Sequence, residues 1–282
     1  MGLFGFGKKE RAAISLDIGT EFVKALVFRI EHNTAYIIGA GRSRQQLSDM
    51  QGGRVTDIAG VIKNCESALN EAFDEAKIAP TQCVIGIAGE LVKGSTSTVH
   101  YRRADAKEKI TVKELREIIE QVQVKAFERT RSELAWETGQ EELDVKLVNS
   151  AIVDVRIDGY KINNPIGFQG RDVQVGIFNA FAPIVHLGAL QTIAEGLGLD
   201  LLAIAAEPYA VARGVGLEDA SDLSSIFIDV GGGTTDIAVV RGGGLEGTRM
   251  FALGGRVFTK SVADILELPF GEAEEKKIAY SQ

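Results

Sequence analysis

The chain has 282 residues, enough for two domains, and 45% of them are apolar, which supplies a packed core. Its 39 acidic and 31 basic residues leave a net charge of −8, which argues against broad, nonspecific nucleic-acid binding but leaves room for a local basic patch. The 2 cysteines and 3 scattered histidines show no metal-ligand spacing, so they read as core and surface residues of a protein from a reducing compartment.

The first residues, MGLFGFGKKE, are too short for a secretory signal and lack a cleavage site, and Phe6 stands where a myristoylation signal needs Ser or Thr. Residues 1–11 are expected to form a flexible tail, with Leu3, Phe4 and Phe6 beside Lys8 and Lys9 as a weak membrane-contact alternative. No stretch approaches the ~18–20 apolar residues of a membrane span.

Apolar runs at Ile14–Leu16, Phe22–Phe28 and Thr34–Ala40, joined by short polar connections, predict an antiparallel meander. Helical spacing of Ile58, Val61, Ile62, Cys65, Leu69, Ala72, Phe73 and Ala76 predicts a helix over Asp57–Lys77, capped by Thr56 or Asp57. Cys83–Ala88 is nearly all apolar and reads as a strand buried on both faces, completing a ββαβ-type half-domain. The charged stretch Tyr101–Lys109 reads as a loop, and Thr111 with Glu114 as a capping box opening a helix whose apolar face runs from Leu115 to Ala126.

Farther on, Glu133–Asp144 is an acidic segment carrying Trp136. Val145–Ile157 and Tyr160–Ile162 predict a hairpin about Asp158-Gly159, and Asp172–Ala182 a further strand. Together these suggest an α+β module inserted over roughly 89–180. A helix over Pro183–Leu197 begins at its proline, a short strand spans Leu201–Ala205, and a small-residue helix spans Glu207–Gly214. After a polar linker, Ile226–Val240 forms a second hairpin, followed by a strand near Leu245–Leu253 and helices at Phe258–Leu266 and Glu272–Tyr280.

The two hairpins echo each other: ISLDIGTEFVKALVF at 14–28 and IFIDVGGGTTDIAVV at 226–240. Each places an aspartate at a strand end, then a glycine turn with threonine, the chemistry by which backbone N–H groups and hydroxyls reach a phosphate. In the first, Asp17 ends the strand, Gly19 turns the chain, Thr20 offers donors and Lys24 faces phosphate or solvent. In the second, Asp229 is followed by Gly231, Gly232 and Gly233, with Thr234 and Thr235 as donors and Asp236 as a further carboxylate. Asp17 and Asp229 repel phosphate by themselves, but each suits a hydrated Mg²⁺ held through water. Glu207, at a strand-to-helix junction, reads on its own as a helix-start acid; it is also placed where a carboxylate can orient a water for attack on a γ-phosphate.

With these motifs in hand, the chain resembles the FtsA/PilM family of the actin-like ATPase superfamily. LDIGTEFVKALVF resembles the family's first phosphate loop and IDVGGGTTDIAVV its second. AAEPYAVARGV at 205–215 resembles the segment connecting the lobes, which puts Glu207 in the place of the water-orienting acid. GIAGELVKG and INNPIGFQGRDVQVGIFNAFAP resemble the two ends of the FtsA inserted subdomain. FALGGRVFTKSVADIL and GEAEEKKIAY resemble the segments that follow, adding Gly254, Gly255, Glu274 and Lys277 as nucleotide contacts, the last two at ribose and adenine. Departures are Lys260 in place of an acid or amide, Ser281 in place of a glycine, and the long charged stretch Ala104–Asp144.

The resemblance implies an α/β, actin-like (ribonuclease H-like), two-lobed ATPase fold with an inserted α+β subdomain of the SHS2 type. On that plan the first lobe is 12–88 with 181–220, the insert 89–180, and 221–282 the start of an incomplete second lobe, so that the chain is expected to be a fragment of a longer reading frame. It also implies ATP and Mg²⁺ as cofactors, with a slow ATPase as the upper bound on turnover. Self-assembly into an actin-like polymer and linkage of the FtsZ ring to the membrane follow, with no nucleic-acid partner. The place is the cytoplasm, peripheral to the inner face of the cell membrane, with any membrane contact indirect or through segments outside this sequence. The alternatives are a PilM-like scaffold of type IV pilus assembly that captures a membrane-protein peptide, a sugar- or acetate-kinase-type phosphotransferase, for which no catalytic base is evident, and a nucleotide-binding module without hydrolysis.

Overall fold

A computed structural model describes residues 12–32, 34–139, 144–215 and 224–281. The expected N-terminal tail, most of the polar linker before the second hairpin, and Gln282 lie outside the described residues. The elements in chain order begin with β1 (Ala12–Ile18), β2 (Phe22–Glu31), β3 (Thr34–Arg44), β4 (Met50–Gln51), β5 (Arg54–Val55), α1 (Ile58–Ala76) and β6 (Gln82–Ile87). Then come β7 (Lys93–Arg102), α2 (Val112–Thr138), β8 (Val145–Ile157), β9 (Tyr160–Lys161), β10 (Asp172–Pro183) and α3 (Ile184–Gly196). The chain continues through β11 (Asp200–Ala206), α4 (Glu207–Gly214), β12 (Ser225–Val230), β13 (Thr235–Arg241), β14 (Gly244–Phe251), α5 (Gly255–Leu266) and α6 (Phe270–Ser281). Among the described residues no helix is long and apolar enough to cross a membrane.

These elements form two compact units, one drawn from described residues of 1–51, 55–86 and 189–204, the other from 52–54, 87–188 and 205–282. The first is built on a five-stranded sheet in the order β11-β6-β1-β2-β3. The predicted meander pairs antiparallel, and β6 lies parallel to β1. Asp57 caps α1 by accepting the Ala59 and Gly60 N–H groups, and Lys77 closes it in the left-handed conformation. The buried stripe Val61, Cys65, Ala68, Leu69 and Ala72 faces the sheet. Both cysteine thiols are free and buried. Burial, with the Glu66 charge second, pushes Cys65 up to about 12; burial, with Asp200 second, pushes Cys83 up to about 11.

Helix α1 lies unusually close to β3. A Cβ on Gly39 would sit 2.2 Å from the Ala72 carbonyl oxygen, and one on Gly41 2.0 Å from that of Ala68. The same approach lets Glu75 and Glu71, one helical turn apart, accept the edge N–H groups of Ala40 and Arg42, each at 2.8 Å. The outer edge of this sheet is therefore capped by carboxylates.

The second unit is built on a seven-stranded sheet in the order β12-β13-β14-β7-β10-β8-β9. Its β7, β10 and β8 form an antiparallel block across which α2 packs. Leu115, Ile118 and Val122 of α2 meet Val155, Val173, Val175 and Ile177, and farther along Ala126 and Leu134 share a second cluster with Val145 and Phe181. Thr111 accepts the Glu114 N–H, as the capping pattern predicts. The buried Arg103 guanidinium grips both oxygens of Glu114 and also donates to the Glu108 and Gly170 carbonyls.

Four local expectations are corrected. Strand β7 takes in Tyr101 and Arg102, the first two residues of the stretch expected to be a loop, because both pair with β10. The apolar face of α2 runs past Ala126 to Leu134, and the helix continues through Trp136 to Thr138. Pro183 ends β10 rather than opening α3. Strand β6 alternates between buried and partly buried positions instead of being fully covered on both faces.

Candidate functional site: two phosphate-type hairpins

In the first unit the β1–β2 register sets Asp17 opposite Lys24. Gly19 N–H donates to the Phe22 carbonyl at 3.1 Å, closing the turn, and a Cβ on Gly19 would lie 2.8 Å from that oxygen. Lys24 Nζ pairs with Asp17 Oδ2 at 3.0 Å across the hairpin, so Lys24 serves the carboxylate directly. Thr20 is buried in the turn.

The second unit repeats the geometry with a different charge pattern. Asp229 stands opposite Asp236, in the register that Asp17 and Lys24 hold in the first hairpin. Asp229 is exposed at the strand end and Asp236 is buried. Glu207, at the head of α4, lines one small crevice with both aspartates, closed by Pro208, Val211, Phe227 and Ala238. Glu207, Asp229 and Asp236 thus line one crevice whose wall is mostly apolar. Two aspartates directly across a ladder are an unfavourable pair unless a positive group lies nearby. Among the described residues no group of three or more His, Cys, Asp or Glu side chains is arranged to ligate a metal ion directly.

The glycine turn is braced by the start of α5. Gly231 N–H donates to Thr234 O at 2.9 Å, Gly255 N–H to Gly231 O at 2.9 Å, and Arg256 N–H to Gly232 O at 2.8 Å. A Cβ on Gly254 would lie 2.6 Å from the Gly231 oxygen, so only glycine permits this backbone contact. The Thr235 hydroxyl donates to Leu253 O at 2.6 Å, which commits it to the same brace; Thr234 is buried beside it.

Glu274 and Lys277 from α6 join the brace. Lys277 Nζ sits 2.7 Å from Glu274 Oε2, 2.9 Å from the Thr259 hydroxyl and 3.2 Å from Gly255 O. Thr259 also donates to Glu274. The structure thus brings Gly231, Gly232, Gly254, Gly255, Glu274 and Lys277 into one connected cluster, while Asp229 lines a crevice with Glu207 and Asp236. Asp17, Gly19, Thr20 and Lys24 form a separate cluster in the first unit. Sequence reasoning passes over Thr259 and Arg256. The signal for Thr259 is its place one helical turn after Gly255, which brings its hydroxyl under the glycine pair.

A family model described as "Cell division protein FtsA" matches residues 226–282. The chain is similar to the cell division protein FtsA of Neisseria meningitidis serogroup B, 29% identical over 97% of this chain and 62% of the relative. It is similar also to FtsA of Bacillus subtilis, 25% identical over 94% of this chain and 57% of the relative. The chain therefore spans about three-fifths of the length of these relatives. Among solved structures, the PilM–PilN type IV pilus biogenesis complex superposes with a TM-score of 0.65 at 19% identity, over 95% of this chain and 69% of that one. The ethanolamine utilization protein EutJ of Carboxydothermus hydrogenoformans superposes with a TM-score of 0.50 at 16% identity, over 94% and 60%. The fold is of the actin-like α/β class, and the family-model match, the relatives and the fold together support an FtsA/PilM-type actin-like family for this chain.

Proposed function

We propose that the chain is the nucleotide-binding part of an FtsA-like scaffold of bacterial cell division, which binds ATP with Mg²⁺. The observation that carries this reading is the Asp229 hairpin: a glycine turn braced by Gly254 and Gly255, with Asp229, Asp236 and Glu207 lining one crevice of the same unit. Bound Mg²⁺ would neutralise phosphate charge there. In the second unit Asp229 would hold its water shell, the Gly231–Thr235 turn would meet phosphate, and Lys277 with Glu274 would support the nucleoside end; in the first unit Asp17 and the Gly19–Thr20 turn would offer the same chemistry. Glu207, at the head of α4, would orient a water and take its proton; turnover would be slow because nucleotide mainly sets conformation and assembly. The division into lobe, inserted subdomain and second lobe is retained as part of this reading, as are polymerisation, contact with FtsZ and a place at the inner membrane face.

A second reading, a scaffold of pilus assembly, is favoured by the superposition on the PilM–PilN complex. Binding assays against an FtsZ-tail peptide and a pilus membrane-protein peptide separate the two. The test of the nucleotide reading is Glu207→Gln. It is expected to leave Mg·ATP affinity within about twofold and to lower single-turnover hydrolysis by about a hundredfold or more. Unchanged hydrolysis would remove Glu207 from the mechanism.

A further inference from the structure

The first hairpin is held from behind by a buried polar chain that no part of the nucleotide reading uses. Gln45, Asp49 and Asn64 are all buried, at 4%, 2% and 9% exposure. Asn64 Nδ2 donates to Gln45 Oε1 at 2.6 Å and to Asp49 Oδ2 at 2.8 Å. The same Asp49 oxygen accepts the Gln46 N–H at 2.8 Å, and the Asp49 carbonyl accepts the N–H groups of Thr56 and Asp57. Asp49 is therefore fixed against the first turn of α1, where a Cβ on Gly60 would lie 2.5 Å from its carboxylate.

This chain has a direction. The Asp49 carboxylate can only accept, so Asn64 must present its NH₂ to it, and the same NH₂ meets Gln45. Gln45 must then offer its oxygen to Asn64, which turns its own NH₂ the other way, toward the Gly19 carbonyl at 3.4 Å. Gln45 also donates its backbone N–H to Glu21 O at 2.9 Å. One residue thus holds two carbonyls of the turn. In a trans peptide the C=O and the following N–H point to opposite sides, so fixing the Gly19 carbonyl also fixes the direction of the Thr20 N–H.

We propose that Gln45 is a positioning residue for the Gly19–Thr20 turn, locked in a single amide orientation by Asn64 and Asp49, and that it pre-aims the Thr20 N–H for a phosphate oxygen. This rests on the reading of that turn as phosphate-binding. An apolar contact would fill the same space; what the polar chain adds is orientation, which is what anion recognition by a backbone turn requires.

The test compares Gln45→Leu and Gln45→Glu with the parent chain. Gln45→Glu keeps the acceptor for Asn64 and replaces the donor to Gly19, so it serves if Gln45→Leu does not fold. Two quantities are read: hydrogen exchange of the Gly19–Glu21 amides in the nucleotide-free chain, and Mg·ATP affinity. Both variants are expected to exchange these amides faster and to bind Mg·ATP about tenfold more weakly, the effect of one misdirected hydrogen bond. A lowered melting temperature with unchanged affinity would show a merely structural role and overturn the proposal, as would unchanged exchange. If the parent chain itself binds no Mg·ATP, the nucleotide reading fails, and the exchange measurement still decides whether Gln45 holds the turn.

Discussion

Lys24 and Asp236 occupy the same place on their two hairpins and carry opposite charge. The first hairpin pairs its aspartate with a lysine, whereas in the second Asp229 stands opposite another aspartate. That asymmetry makes Asp229 the more informative of the two aspartates to remove. Elsewhere in the second unit, the half-buried His186 contributes to pH dependence. Its Nδ1 is buried with no hydrogen-bond partner among the described residues, and burial, with the Arg54 charge second, holds its pKa below the ordinary 6.5. Above that value the imidazole is neutral in both folded and unfolded chains. Below it the unfolded chain takes up a proton that the folded one resists, so stability falls with pH from about 6.5 downward. His186→Gln should flatten that part of the profile in urea melts at pH 7 and pH 5.5; an unchanged slope would assign the loss to other groups.

The elements differ in how readily their sequences declare them. The hairpins and α1 are legible because their determinants are local: an aspartate and glycine at each turn, Asp57 as the cap, and an apolar stripe at helical spacing. Strand β7 is hidden because its Ser and Thr side chains imitate a loop, and it becomes a strand only through long-range pairing with β10. The Gln45–Asn64 link is hidden for a related reason, since an amide pair across a loop and a helix leaves no periodic trace. The α1–β3 contact is half legible. Gly39 and Gly41 read as ordinary strand glycines, yet each admits a helix carbonyl that a side chain would block. Gly41→Ala is therefore expected to destabilise the first unit by ~1–3 kcal/mol or more, read as a lower urea midpoint at constant m-value. An effect within a few tenths of a kcal/mol would mean that the helix can withdraw at little cost.

Across the molecule the two units repeat one hairpin in two settings. In the first, Ile14, Leu16 and Ile18 are at most 5% exposed, with β6 paired along the outer edge of β1. In the second, the matching Ile226, Ile228 and Val230 are 66%, 62% and 58% exposed, and β12 is the end strand of its sheet. The continuity of that sheet through Gly247–Ser95 and Thr248–Gly94 joins the second hairpin to β7 and, through it, to β10 and β8. Nothing in the sequence signals this continuity, because the pairing depends on Gly94 admitting Thr248 and Phe178 at contacts no Cβ would allow. An exposed apolar strand face of this kind binds hydrophobic dyes and promotes association. The 282-residue chain should enhance ANS fluorescence while folded, and Ile226→Ser with Ile228→Ser should reduce that signal without lowering helix content. Equal fluorescence in the variant would place the dye elsewhere. The measurement that reaches the central claim most directly is isothermal titration of Mg·ATP into this chain and its Asp229→Ala variant. Micromolar binding by the parent chain, lost or weakened at least tenfold in the variant, is the predicted result; equal binding by both, or none by the parent chain, would contradict the assignment of the Asp229 hairpin as a nucleotide site.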